Sequence, residues 1–214
     1  GPNVFFSSSG GGMGGFGGRR GGGGGGRGHS HGGHGHGHGH GHRRPSKPVP
    51  TFGIIKKNTT VILRGLVSAG HRNGQEGKVQ EFDTSNSRYN VRLSDGETLA
   101  LKRANLLCMQ EKCEVTGIES RSELNGEFCK VRGYDDSKQR YVVMLQSSGQ
   151  NMMLRADNLI FPNRAVVHIM GLKGAAQYNG KPATIMSYDR VAGRYLVQLS
   201  EQQQLKLKKE NLML

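Results

Sequence analysis

A unit of about fifty residues is written three times between residues 59 and 214, and no other feature of the chain constrains its fold as tightly. The first copy runs from TVILRGL to LKRANLL, the second from CEVTGIE to LRADNLI, and the third from VVHIMGL to LKKENLM. Gly65, Gly117 and Gly171 each stand eight residues before an Asn-Gly pair, at Asn73-Gly74, Asn125-Gly126 and Asn179-Gly180. Each of those asparagines precedes an Arg-Tyr by fifteen residues, at Arg88-Tyr89, Arg140-Tyr141 and Arg194-Tyr195. Each copy closes on Asn-Leu, at Asn105-Leu106, Asn158-Leu159 and Asn211-Leu212. Coincidence does not produce such agreement.

Within the unit the apolar period is that of strands. Tyr89, Val91 and Leu93 alternate with Asn90 and Arg92, which sends one face to a core and the other to solvent. Tyr141, Val143 and Leu145 repeat the pattern, as do Tyr195, Val197 and Leu199. Val79, Val131 and Ile185 stand three residues before Phe82, Tyr134 and Tyr188, which marks an earlier strand. Asp95-Gly96 is a hairpin signal before Leu99 and Leu101, and the Asn-Gly pairs supply positive-φ positions in the preceding loop. Cys129 takes the place of Gly77 and Ala183, a small buried position. Four or five short strands per unit and no helix-period segment predict a small closed barrel.

The pattern Gly-Leu, Asn-Gly, Val-x2-[Phe/Tyr]-Asp, Arg-Tyr-x-Val-x-Leu and Asn-Leu resembles tandem Src-homology-3-like (SH3-like) barrels, close to the KOW-type modules of ribosomal and transcription proteins. The resemblance covers residues 59–214 and implies an all-β fold of three tandem small β-barrel repeats, at 59–109, 110–162 and 163–214. Small barrels host many binding roles, so the resemblance implies fold more than function.

Residues 1–58 have a different composition. They hold 22 of the 35 glycines, seven of the nine histidines, eight Lys/Arg and no acid. A segment so poor in branched aliphatics buries too little apolar surface to offset chain entropy, so it is expected to be a disordered Gly/His/Arg-rich arm. Its blocks are Gly/Phe/Ser-rich (1–18), Gly/Arg-rich (19–28) and His/Gly-alternating (29–42), followed by a basic, Pro-containing linker. His34, His36, His38, His40 and His42 place imidazoles two residues apart, which suits adventitious zinc, nickel or copper; the alternative is a solvated, weakly pH-responsive tail, and no dedicated cofactor is expected. Arg19, Arg20 and Arg27 amid glycine form a short RGG-type stretch able to neutralise phosphates, or else a soluble spacer. Residues 1–18 also resemble the Gly/Phe-rich segment of J-domain co-chaperones. That likeness implies a J-domain outside this chain and a heat-shock chaperone as partner, because no His-Pro-Asp motif occurs here.

Several classes drop out. No run of about eighteen apolar residues spans a membrane, and the first residues show no secretory signal. A start at Gly1 instead of Met reads as a fragment or a processed product. Three cysteines, Cys108, Cys113 and Cys129, do not make a disulfide framework, which points to an intracellular setting, cytoplasmic or nuclear. The repeats contain only His71 and His168, with no nucleophile motif, paired carboxylates or phosphate-cradling loop beside them, so no enzyme is expected.

Binding is the remaining role. With no Trp and few aromatics per copy, neither a proline-rich peptide groove nor a methyl-lysine cage can be lined. Charge is uneven: the first copy is +2, the second −1, and the third +5 from eight Lys/Arg against three acids. In the third copy Lys173, Lys181, Arg190, Lys206, Lys208 and Lys209 offer a phosphate-contacting patch, with Arg194 beside them; the alternative is a solvated strand whose charges discourage edge pairing. Arg88, Arg140 and Arg194 are read as structural, each paired across strands with Asp83, Asp135 or Asp189, and the closing asparagines as backbone ligands in a turn. The expected function is non-catalytic macromolecule binding or scaffolding, leaning to RNA or another polyanion. The alternatives are a co-chaperone tail whose barrels engage clients or partner proteins, and metal binding by the His-Gly tract.

Overall fold

The computed structural model describes residues 52–214, and over that span the protein is all-β. Repeat 1 contains β1 (Thr60–Leu63), β2 (Glu76–Asp83), β3 (Arg88–Leu93), β4 (Thr98–Leu101) and β5 (Leu106–Cys108). Repeat 2 contains β6 (Gln110–Val115), β7 (Phe128–Asp135), β8 (Arg140–Leu145), β9 (Asn151–Leu154) and β10 (Leu159–Ile160). Repeat 3 contains β11 (Val166–Ile169), β12 (Pro182–Asp189), β13 (Arg194–Ser200), β14 (Gln203–Lys208) and β15 (Leu212–Met213). Each set forms one antiparallel sheet in which the first strand pairs with both the second and the fifth, giving for repeat 1 the order β4-β3-β2-β1-β5. Among the described residues the only helical elements are single 3-10 turns, two per repeat.

The recurring residues account for the recurring geometry. The Arg-Tyr tyrosines Tyr89, Tyr141 and Tyr195 are buried, and each packs against the aromatic opposite it on the preceding strand, Phe82, Tyr134 or Tyr188, at 4.7–4.9 Å between ring centroids. A bulge follows Val79, Val131 and Ile185 at the same place in each sheet, which bends the long second strand. Asn73 receives the Leu66 N–H at 2.9 Å and donates to the Leu66 carbonyl at 3.0 Å, closing the loop after β1; Asn125 with Ile118 and Asn179 with Leu172 repeat this clamp. Only the glycine of each Asn-Gly pair has positive φ; the asparagines are extended, at φ −62° for Asn73, because the side-chain clamp replaces a left-handed residue there. The closing asparagines behave as expected: Asn105 donates to the carbonyls of Arg64 and Gly65, Asn158 to those of Thr116 and Gly117, and Asn211 to that of Met170.

The expected Arg–Asp ion pairs do not form. Asp83 and Arg88 are opposite in register, as are Asp135 with Arg140 and Asp189 with Arg194, but each aspartate turns back to receive the N–H groups of its own hairpin. Local turn closure competes for the carboxylate and wins, since a backbone N–H two residues on costs less chain entropy to capture than a long arginine.

Each core tyrosine hydroxyl is capped by a backbone N–H, and between repeats 2 and 3 these caps are exchanged. Ile55, ahead of β1, donates its N–H to Tyr89 Oη at 3.3 Å, and Phe161, ahead of β11, donates to Tyr195 Oη at 2.7 Å. Cys108 stands at the position equivalent to Phe161, but the link into repeat 2 is one residue shorter, and Cys108 instead pairs with Val61 on β1. Leu214 fills the vacancy from repeat 3, donating to Tyr141 Oη at 3.3 Å, while Tyr141 donates to Met213 Sδ at 3.2 Å. Residues at equivalent positions of repeats 2 and 3 thus cap each other's tyrosine, and the two repeats share one hydrophobic core. Repeat 1 keeps a core of its own, and lends to the shared one the buried Ile62 and Leu107, with Met109 packed against that core.

Repeat 1 is tied to repeat 3 by the segment ahead of β1. Gly53 has φ +72° and donates its N–H to Thr184 Oγ1 at 2.8 Å. A Cβ at residue 53 would stand 2.6 Å from the Pro182 carbonyl carbon and 2.7 Å from the Ala183 nitrogen, both backbone atoms that cannot yield. Gly53→Ala is expected to lift this segment off repeat 3 and cost about 2 kcal/mol. Hydrogen exchange reads the result: the Ile55 amide should lose protection while the amides of β7 and β8 keep theirs.

Candidate functional site: a basic cleft on repeat 3

In repeat 3 the loop after β11 and the paired strands β13 and β14 enclose a cleft of about 350 Å³, lined by Lys173, Arg194, Lys206 and Lys208 among others. The strand period explains the convergence. On β14 Leu205 and Leu207 point into the core, so Lys206 and Lys208 stand on the outer face. Arg194 is directly opposite Lys208 in register, and Lys173 enters from the loop. Like charges facing each other across a strand pair are destabilising by themselves. The one acid in the lining, Glu210, lies 3.6 Å from Lys208, with both side chains more than half exposed, and offsets little of this charge.

The other two repeats show what is particular to the third. The position of Lys173 is Val67 in repeat 1 and Glu119 in repeat 2; that of Lys206 is Ala100 and Met153. The position of Glu210 is Ala104 and Asp157, and the Lys208 position, like that of Arg194, is basic throughout, as Lys102 and Arg155. Arg88 donates to the Ala100 carbonyl at 2.9 Å, and Arg140 reaches the Met153 carbonyl at 3.5 Å. Among the described residues Arg194 makes no such bond, and Lys173 and Lys206 are likewise without a hydrogen-bonded or ionic partner. Repeat 3 therefore presents three uncommitted cations and a fourth weakly paired one around a single depression.

The remaining cationic candidates are engaged elsewhere. Arg190 is bound through both terminal nitrogens to Glu114 of repeat 2, at 3.0 and 2.6 Å. Lys181 lies over the Tyr178 ring at 5.2 Å. Lys209 donates to the Asp157 carbonyl at 2.9 Å and covers the Tyr188 ring, and burial lowers its ammonium pKa. Arg190 and Lys209 thus hold repeats 2 and 3 together, and sequence reasoning missed this because both partners lie more than fifty residues away. Conversely, Arg194 joins the cleft although its recurrence in every copy reads as structural; the signal that separates it is the lysine-rich strand opposite. Arg19, Arg20, Arg27, His34, His36, His38, His40 and His42 lie outside the described residues.

Two further groups are buried between repeats. Arg103 donates to the carbonyls of Leu106 at 2.7 Å and of Val166 in repeat 3 at 3.2 Å. His168 lies beside it on β11, only 8% exposed, with Nδ1 unpartnered. Burial, with the guanidinium groups of Arg103 and Arg64 nearby, lowers the imidazole pKa to about 3. Arg64 in turn pairs with Asp136 of repeat 2 and lies over the Tyr134 ring at 4.5 Å.

The three cysteines are buried and unpaired. Burial raises all three thiols, that of Cys129 to about 12, which leaves none of them a thiolate near neutrality. Among the described residues no cluster of His, Cys, Asp or Glu is arranged to hold a metal ion, and no helix is long and apolar enough to cross a membrane. Comparison with known proteins gives no match to a family model and none to a curated protein sequence.

Proposed function

We propose that this protein is a non-catalytic binding module for RNA or a similar polyanion, built on SH3-like repeats of which the third carries the binding cleft. One observation carries the reading: Lys173, Arg194, Lys206 and Lys208 converge on one cleft with a single exposed acid among them. An anionic chain laid there relieves the repulsion between Arg194 and Lys208 and releases counterions from the phosphates it brings. Repeats 1 and 2 serve as a frame. Their corresponding arginines are committed to strand carbonyls, and repeat 2 is acidic overall.

The test is RNA binding by the full chain as a function of salt. Affinity is expected to fall linearly with salt on logarithmic axes, by about 0.7 in slope per phosphate contacted. Lys206→Gln combined with Lys208→Gln should weaken binding about tenfold or more and make the slope shallower. Lys181→Gln, outside the cleft, should leave both nearly unchanged. Equal loss from the two variants would sink the assignment.

A further inference from the structure

Resting on the polyanion reading of the repeat 3 cleft, we infer that this site grips the sugar-phosphate backbone of a single extended strand and takes no part of its affinity from the bases. The lining contains no aromatic side chain: it is Gly171, Leu172, Lys173, Gly174, Arg194, the segment Lys206–Lys208, Glu210 and Asn211. Base-contacting single-strand sites depend on aromatic stacking platforms, and this surface has none to offer. Tyr195 is fully buried beneath the sheet, and the outer side of Tyr188 is covered by Lys209.

Polar readout of base edges is absent for a second reason. It takes side chains that present fixed donors and acceptors together. Asn211 is the one amide in the lining, and its Nδ2 is bound to the Met170 carbonyl. What remains is cationic and spaced along a strand. Lys206 and Lys208 are two residues apart on β14 and lie on one face, so their origins are about 6.7 Å apart. That interval suits successive phosphodiesters of an extended strand. Arg194, across from Lys208, adds a planar donor fork that can hold one phosphate through two bonds. The ligand class is accordingly a flexible, linear phosphodiester, read by charge spacing alone.

The test compares oligo(U), oligo(A) and an abasic phosphodiester chain of equal length, each against the full chain and against the Lys206→Gln/Lys208→Gln variant. The expected result is that all three bind the full chain within about threefold of one another, since base stacking is not in play. All three should lose affinity together in the variant. If the abasic chain binds more than about tenfold weaker than oligo(U), and the variant still weakens oligo(U), the cleft binds RNA but reads bases, and this inference falls while the functional reading stands. If none of the probes binds, or the variant binds all of them unchanged, the functional reading itself fails and takes the inference with it. A rigid RNA duplex serves as a shape control: binding tighter than any single strand would also overturn the extended-strand assignment.

Discussion

Replacing Phe161 with alanine is expected to destabilise repeats 2 and 3 together, by about 3–5 kcal/mol, although the residue belongs to neither sheet. Phe161 is 2% exposed. Its ring meets Tyr141 of repeat 2 edge-on at 5.5 Å and stacks over Tyr195 of repeat 3 at 6.0 Å, while its N–H is bound to the Tyr195 hydroxyl. Truncation leaves a cavity between two tyrosines that are held in place by their own strands and cannot close it. Thermal or denaturant unfolding of the variant should show one transition for both repeats at lower stability. Hydrogen exchange should show protection lost in β8 and β13 alike, with β3 of repeat 1 much less affected. Loss confined to repeat 3 would mean that the shared core is two adjoining cores that fold separately. Leu214→Ala probes the reciprocal half of the exchange, and is expected to cost about 2–5 kcal/mol with the same joint response.

Acidification is expected to weaken the junction between repeats 1 and 3 through His168. Its pKa is lowered from an ordinary value of 6.5 to about 3, so between these limits the unfolded chain binds a proton that the folded chain refuses. Stability contributed by keeping the imidazole neutral is therefore complete above about pH 6.5 and is lost as pH falls toward 3. At pH 4 the loss from this residue alone is up to about 3 kcal/mol. The hydrogen-bonded carboxylates Asp83, Asp95, Asp135 and Glu111, whose pKa values are also lowered, add to acid sensitivity in the same direction at the lower end of that range. A variant isolates the histidine. His168→Ile installs the residue that repeat 1 carries at the equivalent position, Ile62, and should flatten the stability profile between pH 6.5 and 4.5 while leaving the lower limb in place. An unchanged slope in that window would show that His168 is hydrated and free to protonate in the folded protein.

The repeat, its strands and its core tyrosines were legible in the sequence because they depend on local rules applied three times over. Alternation places Tyr, Val and Leu inward wherever the segment sits; the loop-closing Asn clamp, in contrast, reads in sequence only as a positive-φ turn and shows itself in the structure. The outward placement of Lys206 and Lys208 followed from the same alternation, so half of the candidate cleft could be read in advance. Lys173 was also among the candidates, but its meeting with the strand lysines depends on how the loop after β11 folds over β13 and β14.

Other features were decided only by tertiary structure. Arg190 and Lys209 look like surface cations in sequence, yet their partners are Glu114 and Asp157 of another repeat, and no local pattern announces a contact across more than fifty residues. Arg194 looks structural because every copy has it; its release shows only when its surroundings are compared with those of Arg88 and Arg140. The capping of Tyr141 by Leu214 in place of Cys108 follows from a link one residue shorter, a difference whose consequence depends on where repeat 3 comes to rest. Secondary structure and core are thus set by periodicity within each unit. The commitment of each charged side chain, to a neighbouring repeat or to a ligand, is set by which surfaces burial brings together.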